Sequence, residues 1–80
     1  MARAVSKSIL GKTVRGLRLK AGFTQAELSQ RAGIFRTHLA RIEGGSANPT
    51  LTAIVAIARG LNVDPEKLFD HCQAPDSGTP

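Results

Sequence analysis

The stretch that decides the fold is TQAELSQRAGIFRTHLARIEGG, residues 24–45. It holds two short patterns of helical periodicity separated by a single glycine, Gly33. Thr24 followed three residues later by Glu27 predicts a capping box at the start of the first helix. Gly33 stands where a left-handed residue would end that helix, a conformation that glycine adopts without steric cost. We therefore expect a helix-turn-helix over about residues 25–44, with two helices that cross at a large angle.

The apolar spacing within this stretch predicts which face of the second helix is exposed. The inward positions are those of Leu28, Ala32, Ile34, Leu39 and Ile42. The side chains left on the outward face are those of Arg36, Thr37, His38, Ala40 and Arg41. Helices this short must be held by packing against one another, so the outward set would be presented at a fixed angle. Such a face is suited to the recognition of a partner.

A helical pattern also precedes this pair. Leu10, Val14 and Leu17 form one apolar stripe, which predicts a helix from Ile9 to Ala21. We expect residues 1–8 to be an N-terminal arm, residues 9–72 to be one helical domain, and residues 73–80 to be a disordered tail, because QAPDSGTP is rich in turn formers and has no periodicity.

Two more helical patterns follow the pair, and no strand is predicted. Thr50 is a suitable cap for a fourth helix, whose apolar stripe consists of Leu51, Ile54, Ala58 and Leu61. Asn62 can take the left-handed position at its end. Asp64 caps a last helix with Pro65 at the first position, and its apolar side is formed by Leu68 and Phe69. The predicted fold class is all-α, a compact domain of five helices.

Length and composition limit the classes of protein that the chain can belong to. Its 80 residues, 41% of them hydrophobic, suffice for one domain with a modest core. No long uncharged apolar run is present, so we expect no membrane span, and MARAVSKSIL lacks the apolar run of a secretory signal. Cys72 is the single cysteine, which excludes an internal disulfide and fits a reducing cytoplasm.

The charge of the chain is unevenly distributed. The net charge is +5, with +8 on residues 1–42 and −3 on residues 43–80. A basic half around the helix pair is what a face that binds a polyanion would need. A solvated basic surface would have the same composition, so charge alone does not decide between these two interpretations.

Catalytic, metal and nucleotide sites are not predicted. His38 stands apart from the adjacent His71 and Cys72, whose side chains would diverge on a helix, so we expect no metal site. The segment GKT at residues 11–13 is similar to the end of a phosphate-binding loop, but Ser6 stands where that loop needs a glycine. We expect no enzyme activity, no cofactor and no small-molecule ligand.

The order and spacing of these segments resemble the lambda-repressor-like helix-turn-helix domains, also called the Cro/C1 or XRE type. LGKTVRGLRLKAGFTQAEL is similar to the family's first helix and the entry into its second. AGIFRTHLARIEGG resembles its turn and recognition helix, and NPTLTAIVAIARGLNVDPEKLF resembles its last two helices. The resemblance covers about residues 10–69. It implies a five-helix domain that binds duplex DNA with the third helix in the major groove.

The resemblance also implies roles for individual residues. Contacts with base edges fall to Arg36, Thr37, His38 and Arg41. Contacts with phosphates fall to Thr24, Gln25, Ser46 and Asn48. Gln25 would also brace the recognition helix. Arg18 and Glu43 match a family pair that forms a largely buried ion bridge between the first and third helices, a structural role. An arginine at position 36 can also donate two hydrogen bonds to the O6 and N7 acceptors of a guanine.

Two or three base contacts give modest specificity, because each discriminates by roughly 1–3 kcal/mol. We therefore expect a homodimer on a (pseudo)palindromic operator, with half-sites about 34 Å apart. The residues expected at the dimer interface are Val55, Leu61, Leu68 and Phe69. In size and in RTHLARIE the chain resembles the controller proteins of restriction–modification systems. A phage-type repressor, an antitoxin or a protein-interaction adaptor of the same fold remain alternatives, and the adaptor would use an apolar patch that includes Phe35.

Phe35 departs from the family pattern, which usually has Ser, Asp or Thr as the cap of the recognition helix. One interpretation is a partly covered ring next to Ile34, with the lost cap costing about 1 kcal/mol. The other is a ring that packs against a thymine methyl group, the DNA backbone or a partner surface.

Overall fold

Five helices account for about three quarters of the described residues. The computed structural model describes residues 6–48 and 50–72, with the side chains of Phe69, His71 and Cys72 excepted. In these ranges the helices are α1 (Lys7–Ala21), α2 (Gln25–Ala32), α3 (Arg36–Glu43), α4 (Leu51–Leu61) and α5 (Pro65–Cys72), and no strand is present. The predicted all-α fold with five helices is confirmed. Residues 1–5 of the predicted arm and the predicted tail at 73–80 lie outside the described residues, and the division into arm, domain and tail stays a prediction.

Local capping explains where most of these helices begin. The Thr24 hydroxyl accepts a hydrogen bond from the Glu27 N–H at 3.1 Å, and the Glu27 carboxylate accepts one from the Thr24 N–H at 2.9 Å. This is the predicted capping box. Thr50 caps α4 in the same way, through the Ala53 N–H at 3.1 Å. The start of α1 differs from the prediction: Ser6 accepts from the Ile9 N–H at 3.3 Å, so the helix begins at Lys7, two residues before Ile9.

The helix ends use the predicted left-handed residues. Gly33 has φ 71° and ends α2, and Asn62 has φ 60° and ends α4. Gly33 donates to the Gln30 carbonyl at 3.3 Å, and Ile34 donates to the Ser29 carbonyl at 3.1 Å, so the turn satisfies carbonyls that the helix leaves free. The turn therefore directs the chain from α2 into α3 with very few residues.

One hydrophobic core joins all five helices. α3 packs on α1 and α2, α4 packs on α1 and α2, and α5 packs on α1 and α4. The buried apolar side chains are those of Leu10, Val14, Leu28, Leu39, Ile42, Ala53, Ile54, Ile57, Ala58, Leu61 and Leu68. Full burial of one such leucine or isoleucine stabilises the fold by about 1.5–3 kcal/mol. Packing of this kind, not intrinsic propensity, holds helices of two to three turns.

The predicted stripe of α4 was wrong at its first residue. Leu51 is 69% exposed, whereas Ile57, which the stripe omitted, is fully buried. Leu51 is the first residue of α4, and periodicity fixes the direction of a side chain around the helix axis without telling whether a neighbouring element lies beside that turn. The inward face of α4 is formed by Ile54, Ile57, Ala58 and Leu61.

Gly11 lies where α1 and α3 approach most closely. A Cβ atom at this position would stand 2.6 Å from the carbonyl oxygens of both Ile42 and Glu43. No real Cβ atom fits there without movement of the backbone. The glycine of the GKT segment is therefore a packing residue, which the sequence pattern did not predict.

Candidate nucleic-acid interface

The outward face of α3 is polar and open to solvent. Arg36, Thr37 and Arg41 are exposed, and His38 is half-buried. Leu39 of the same helix is completely buried, so the inward face anchors the helix while the outward face remains free. The four predicted base-contacting side chains therefore share one helix of eight residues.

A bidentate ion pair fixes the C-terminal end of α3 to α1. The Arg18 Nε donates to Glu43 Oε2 at 2.7 Å, and its Nη2 donates to Oε1 at 2.9 Å. The two side chains are 10% and 3% exposed. The third nitrogen, Nη1, donates to the Phe23 carbonyl at 2.9 Å in the turn before α2. The hydrogen bonds to Glu43 raise the pKa of Arg18 against the opposing effect of burial, and the negative charge of Glu43 adds to the rise, so this group stays charged.

Gln25 extends the same network to α2. Its Nε2 donates to Glu43 Oε1 at 3.2 Å. Arg18, Gln25 and Glu43 thus connect the first three helices through one carboxylate, and this geometry agrees with the bracing role expected of Gln25. Planar, charge-assisted pairs of this kind restrict orientation as well as adding energy. The consequence for the site is that α3 is held at one angle relative to α2.

Arg15 lies beside the candidate interface and was not singled out in the sequence analysis. Its exposed side chain lines a shallow polar cleft together with Arg18, Gln25, Ala40 and Glu43. Arg15 lies one helical turn before Arg18, and that spacing is a signal that could have found it. A positive charge stands here directly beside the face of α3.

The remaining residues expected at phosphates lie on the surface next to the helix pair. Thr24, Ser46 and Asn48 are all exposed. Thr24 stands before α2, where its hydroxyl already accepts from Glu27. Ser46 donates its hydroxyl to the Arg41 carbonyl at 3.2 Å, just beyond α3. The segment with Thr24 precedes the helix-turn-helix along the chain, and the segment with Ser46 and Asn48 follows it.

Arg31 has a structural role, although its charge belongs to the basic half of the chain. Its Nε donates to the Gly60 carbonyl at 2.7 Å, which connects α2 to the end of α4. The guanidinium also lies 4.6 Å from the centre of the Phe23 ring, a cation–π distance. These contacts compete with any role of Arg31 at a polyanion.

Two of the residues expected at the dimer interface were assigned wrongly. Leu61 is 7% exposed and Leu68 is 1% exposed, because both complete the core of a single chain. Val55 is half-buried on the outer side of α4, where it lines a shallow, mostly apolar groove with Leu51, Thr52, Ala56 and Arg59. The side chain of Phe69 lies outside the described part of the structure.

Phe35 is exposed to solvent at the start of α3. Its side chain is 83% exposed, so the interpretation of a partly covered ring was wrong. It occupies the N-cap position with φ −70° and ψ 143°, and it forms no side-chain hydrogen bond to the helix. The lost cap that the sequence predicted is confirmed.

The described residues form neither a cluster of metal ligands nor a membrane-spanning helix. Within 6–48 and 50–72, no three His, Cys, Asp or Glu side chains come together as metal ligands. Of the helices described, none combines the length and the apolar character needed to cross a bilayer.

The chain matches a described protein family and several of its members. A family model described as a helix-turn-helix domain matches residues 9–75. The control protein C.SmaI of Serratia marcescens is 32% identical over 63 residues, which cover 79% of this chain and 75% of that protein. The control protein C.BamHI of Bacillus amyloliquefaciens is 35% identical over 63 residues, 78% of each chain.

A solved structure agrees with these sequence matches. The crystal structure of the restriction–modification controller protein C.AhdI from Aeromonas hydrophila superimposes with a TM-score of 0.75 at 30% sequence identity. The superposition covers 79% of this chain and 96% of that one. The family match begins inside α1 and includes all of α2 to α5, so it covers the entire candidate interface.

Proposed function

The chain belongs to the helix-turn-helix domain family and is a DNA-binding regulator of transcription, and from this premise we propose that it binds an operator as a homodimer with α3 in the major groove. Each copy would read one of two related half-sites, about 34 Å apart on one side of the duplex. The family match supports DNA as the partner. The proposal adds the residues that read it and the symmetry of binding.

The observation that carries this proposal is the two-sided character of α3. Arg36, Thr37 and Arg41 are exposed on one face, while the other face is buried and the end of the helix is fixed by Glu43. Arg36 in the first turn would donate two hydrogen bonds to a guanine, and Thr37 would offer a hydroxyl to a base and a methyl group to thymine. His38 and Arg41 would complete the set of base contacts.

Contacts with the DNA backbone would come from residues on either side of α3. We assign this role to Thr24, Gln25, Ser46 and Asn48, and we add Arg15. Each arginine or lysine that neutralises a phosphate releases counterions, which gives an attraction that does not depend on sequence. The charge of +8 on residues 1–42 supports such an attraction. Positioning on the duplex and reading of the bases would then be separate tasks of separate residues.

The exposed groove on α4 is the surface that we assign to the second copy. α3 packs on α1 and α2 without a major contact to α4, so a partner on the outer side of α4 would leave the reading face free. In an antiparallel pairing of two α4 helices that cross at Val55, Leu51 lies opposite the partner's Arg59. Leucine can pack on the aliphatic stem of an arginine, and the two guanidinium groups stay apart. A two-fold interface of this kind matches two-fold symmetric DNA.

Replacement of Leu51 tests this interface without risk to the fold, because the side chain is 69% exposed. We expect Leu51→Lys to convert the protein from dimer to monomer in sedimentation velocity, since it would place a second positive charge against the partner's Arg59. Leu19→Lys on α1 is the matched control, because Leu19 is 58% exposed and lies outside the groove. An unchanged mass for Leu51→Lys would remove α4 from the interface.

The regulatory system that we assign is restriction–modification control. This assignment rests on C.SmaI, C.BamHI and C.AhdI, which are control or controller proteins of similar length. A regulator of this size would respond to its own concentration, because dimerisation and operator binding both depend on it.

Selection of bound duplexes from a random library, at physiological salt, tests the proposed function. We expect a consensus with two-fold symmetry and two half-sites one helical turn apart. An asymmetric consensus would contradict dimeric reading. Recovery of unrelated sequences, with binding that merely weakens as salt rises, would contradict reading of base edges by α3.

A further inference from the structure

Phe35 combines two features that give the folded chain no stability. It is the most exposed of the three large apolar side chains on the described surface, at 83%. It is also an N-cap residue without a capping hydrogen bond, whereas Ser6, Thr24 and Thr50 each accept one at the start of their helices. A residue that breaks a local rule without a compensating contact in the folded chain points to a function.

The backbone of Phe35 is held in a defined place at the start of α3. The Phe35 carbonyl accepts a hydrogen bond from the Leu39 N–H at 3.0 Å, and Leu39 is buried in the core. The residue is therefore continuous with α3, and its side chain stands directly before Arg36 at the N-terminal end of the helix. In a helix-turn-helix, the N-terminal residues of this helix are the ones that reach base edges.

From this placement we propose that Phe35 is a specificity-determining residue that reads the C5-methyl group of a thymine in each half-site. The inference rests on the proposed function, because it requires α3 to lie in the major groove. The thymine methyl is the one apolar group that the four base pairs present there, and a phenylalanine ring can contact it. The thymine would lie next to the base that Arg36 contacts, since the two residues are consecutive.

The chemistry of the contact explains the missing cap. Serine, threonine or aspartate at position 35 would satisfy a helix N–H, but none of them offers a wide apolar surface. Burial of the ring against a methyl group would remove both from water, which a capping side chain would not do. Stability of the free protein is lowered at the position where affinity for one base is gained, a common compromise at functional sites.

Substitution of uracil for thymine tests this directly, because uracil lacks the methyl group and keeps every hydrogen-bonding atom. The selected consensus duplex is compared with duplexes that carry uracil at one thymine position of each half-site, by fluorescence anisotropy at physiological salt. For the wild type we expect a position, beside any that Thr37 reads, at which each uracil weakens binding roughly fourfold, the effect of one methyl-sized apolar contact. Phe35→Ala should bind the thymine duplex more weakly and should no longer distinguish thymine from uracil at that position.

Phe35→Ser separates base reading from fraying of the helix. Serine restores a neutral cap, so this variant should unfold at a higher urea concentration than the wild type and should still fail to distinguish thymine from uracil at that position. Discrimination that survives at every uracil-sensitive position in Phe35→Ser or Phe35→Ala would overturn the proposal. A wild type that selects a consensus but tolerates uracil at every position would overturn the role of Phe35 alone. A wild type that selects no consensus would overturn the proposed function as well.

Discussion

At the scale of single residues, the molecule shows how one hydrogen bond can set the properties of a side chain. Glu27 is exposed, yet its carboxylate accepts from the Thr24 backbone N–H and is close to the Thr24 hydroxyl. These hydrogen bonds lower the pKa of Glu27 below its ordinary value of 4.5. Phe35 is the N-cap of α3, the position that Thr24 has in α2, and its side chain forms no capping hydrogen bond. The two helices of the motif therefore differ at their N-caps. Thr24 stabilises the start of α2, whereas Phe35 leaves α3 uncapped, and we assign it to recognition.

The lowered pKa of Glu27 predicts a dependence of stability on acid. A carboxyl group whose pKa is lower in the folded state stabilises the fold above its ordinary pKa, and the contribution is lost as pH falls through the folded value. We expect the free energy of unfolding of the wild type to decrease below about pH 4.5 by more than that of Glu27→Gln. Glutamine can occupy the same capping position without titrating. Equal slopes for the two proteins in urea titrations between pH 5 and pH 2.5 would contradict this.

At the scale of helices, the sequence predicted features that depend on neighbouring residues. It did not predict contacts between residues far apart in the chain. The capping box at Thr24, the turn at Gly33 and the end of α4 at Asn62 were readable because each depends on a few neighbouring residues. The outward face of α3 followed from its periodicity. Leu51 was assigned wrongly to the inward stripe, since its exposure depends on what lies beside the first turn of α4. The structural roles of Gly11 and Arg31 were not predicted either, because their contacts join residues about 30 positions apart.

The approach of α1 to α3 predicts opposite effects for two glycines of the same helix. In Gly11→Ala the new methyl group would lie 2.6 Å from two carbonyl oxygens of α3, so we expect a loss of about 2 kcal/mol or more of stability from overpacking. In Gly16→Ala the new methyl group would have no neighbouring atom within 4 Å. We expect this variant to be more stable by about 0.5–1 kcal/mol, from helix propensity. Urea denaturation measures both. A neutral Gly11→Ala would show that α3 can move away from α1 at little cost.

The ion pair between α1 and α3 predicts a large effect of one exchange. Glu43→Ala would leave the Arg18 guanidinium, 10% exposed, without its partner, and breaking a buried pair in this way costs about 3–5 kcal/mol. Asp70→Ala is the control, because Asp70 is an exposed carboxylate on α5 and should change stability by less than about 0.5 kcal/mol. Similar stabilities of the two variants in thermal unfolding would contradict a structural role for the pair.

At the scale of the whole molecule, the packing leaves the outward face of α3 and the apolar groove of α4 on separate surfaces. α3 lies against α1 and α2, and the basic half of the chain surrounds it, whereas the apolar groove lies on α4. One surface is therefore available for DNA and another for a second copy. The core connects the two surfaces through α2, which packs on both α3 and α4. In the proposed complex, the distance between the two copies of α3 depends on this connection.

The measurement that tests the central claim most directly compares specificity ratios of two arginine variants. Affinity for the selected duplex and for a random duplex is measured at physiological salt for the wild type, Arg36→Ala and Arg15→Ala. If Arg36 reads a base in each half-site and Arg15 contacts phosphate, Arg36→Ala should lose at least about thirtyfold more affinity for the selected duplex than for the random one, since the dimer loses two base contacts, and Arg15→Ala should weaken both alike. Equal losses for Arg36→Ala on the two duplexes would contradict the assignment of α3 as the reading helix.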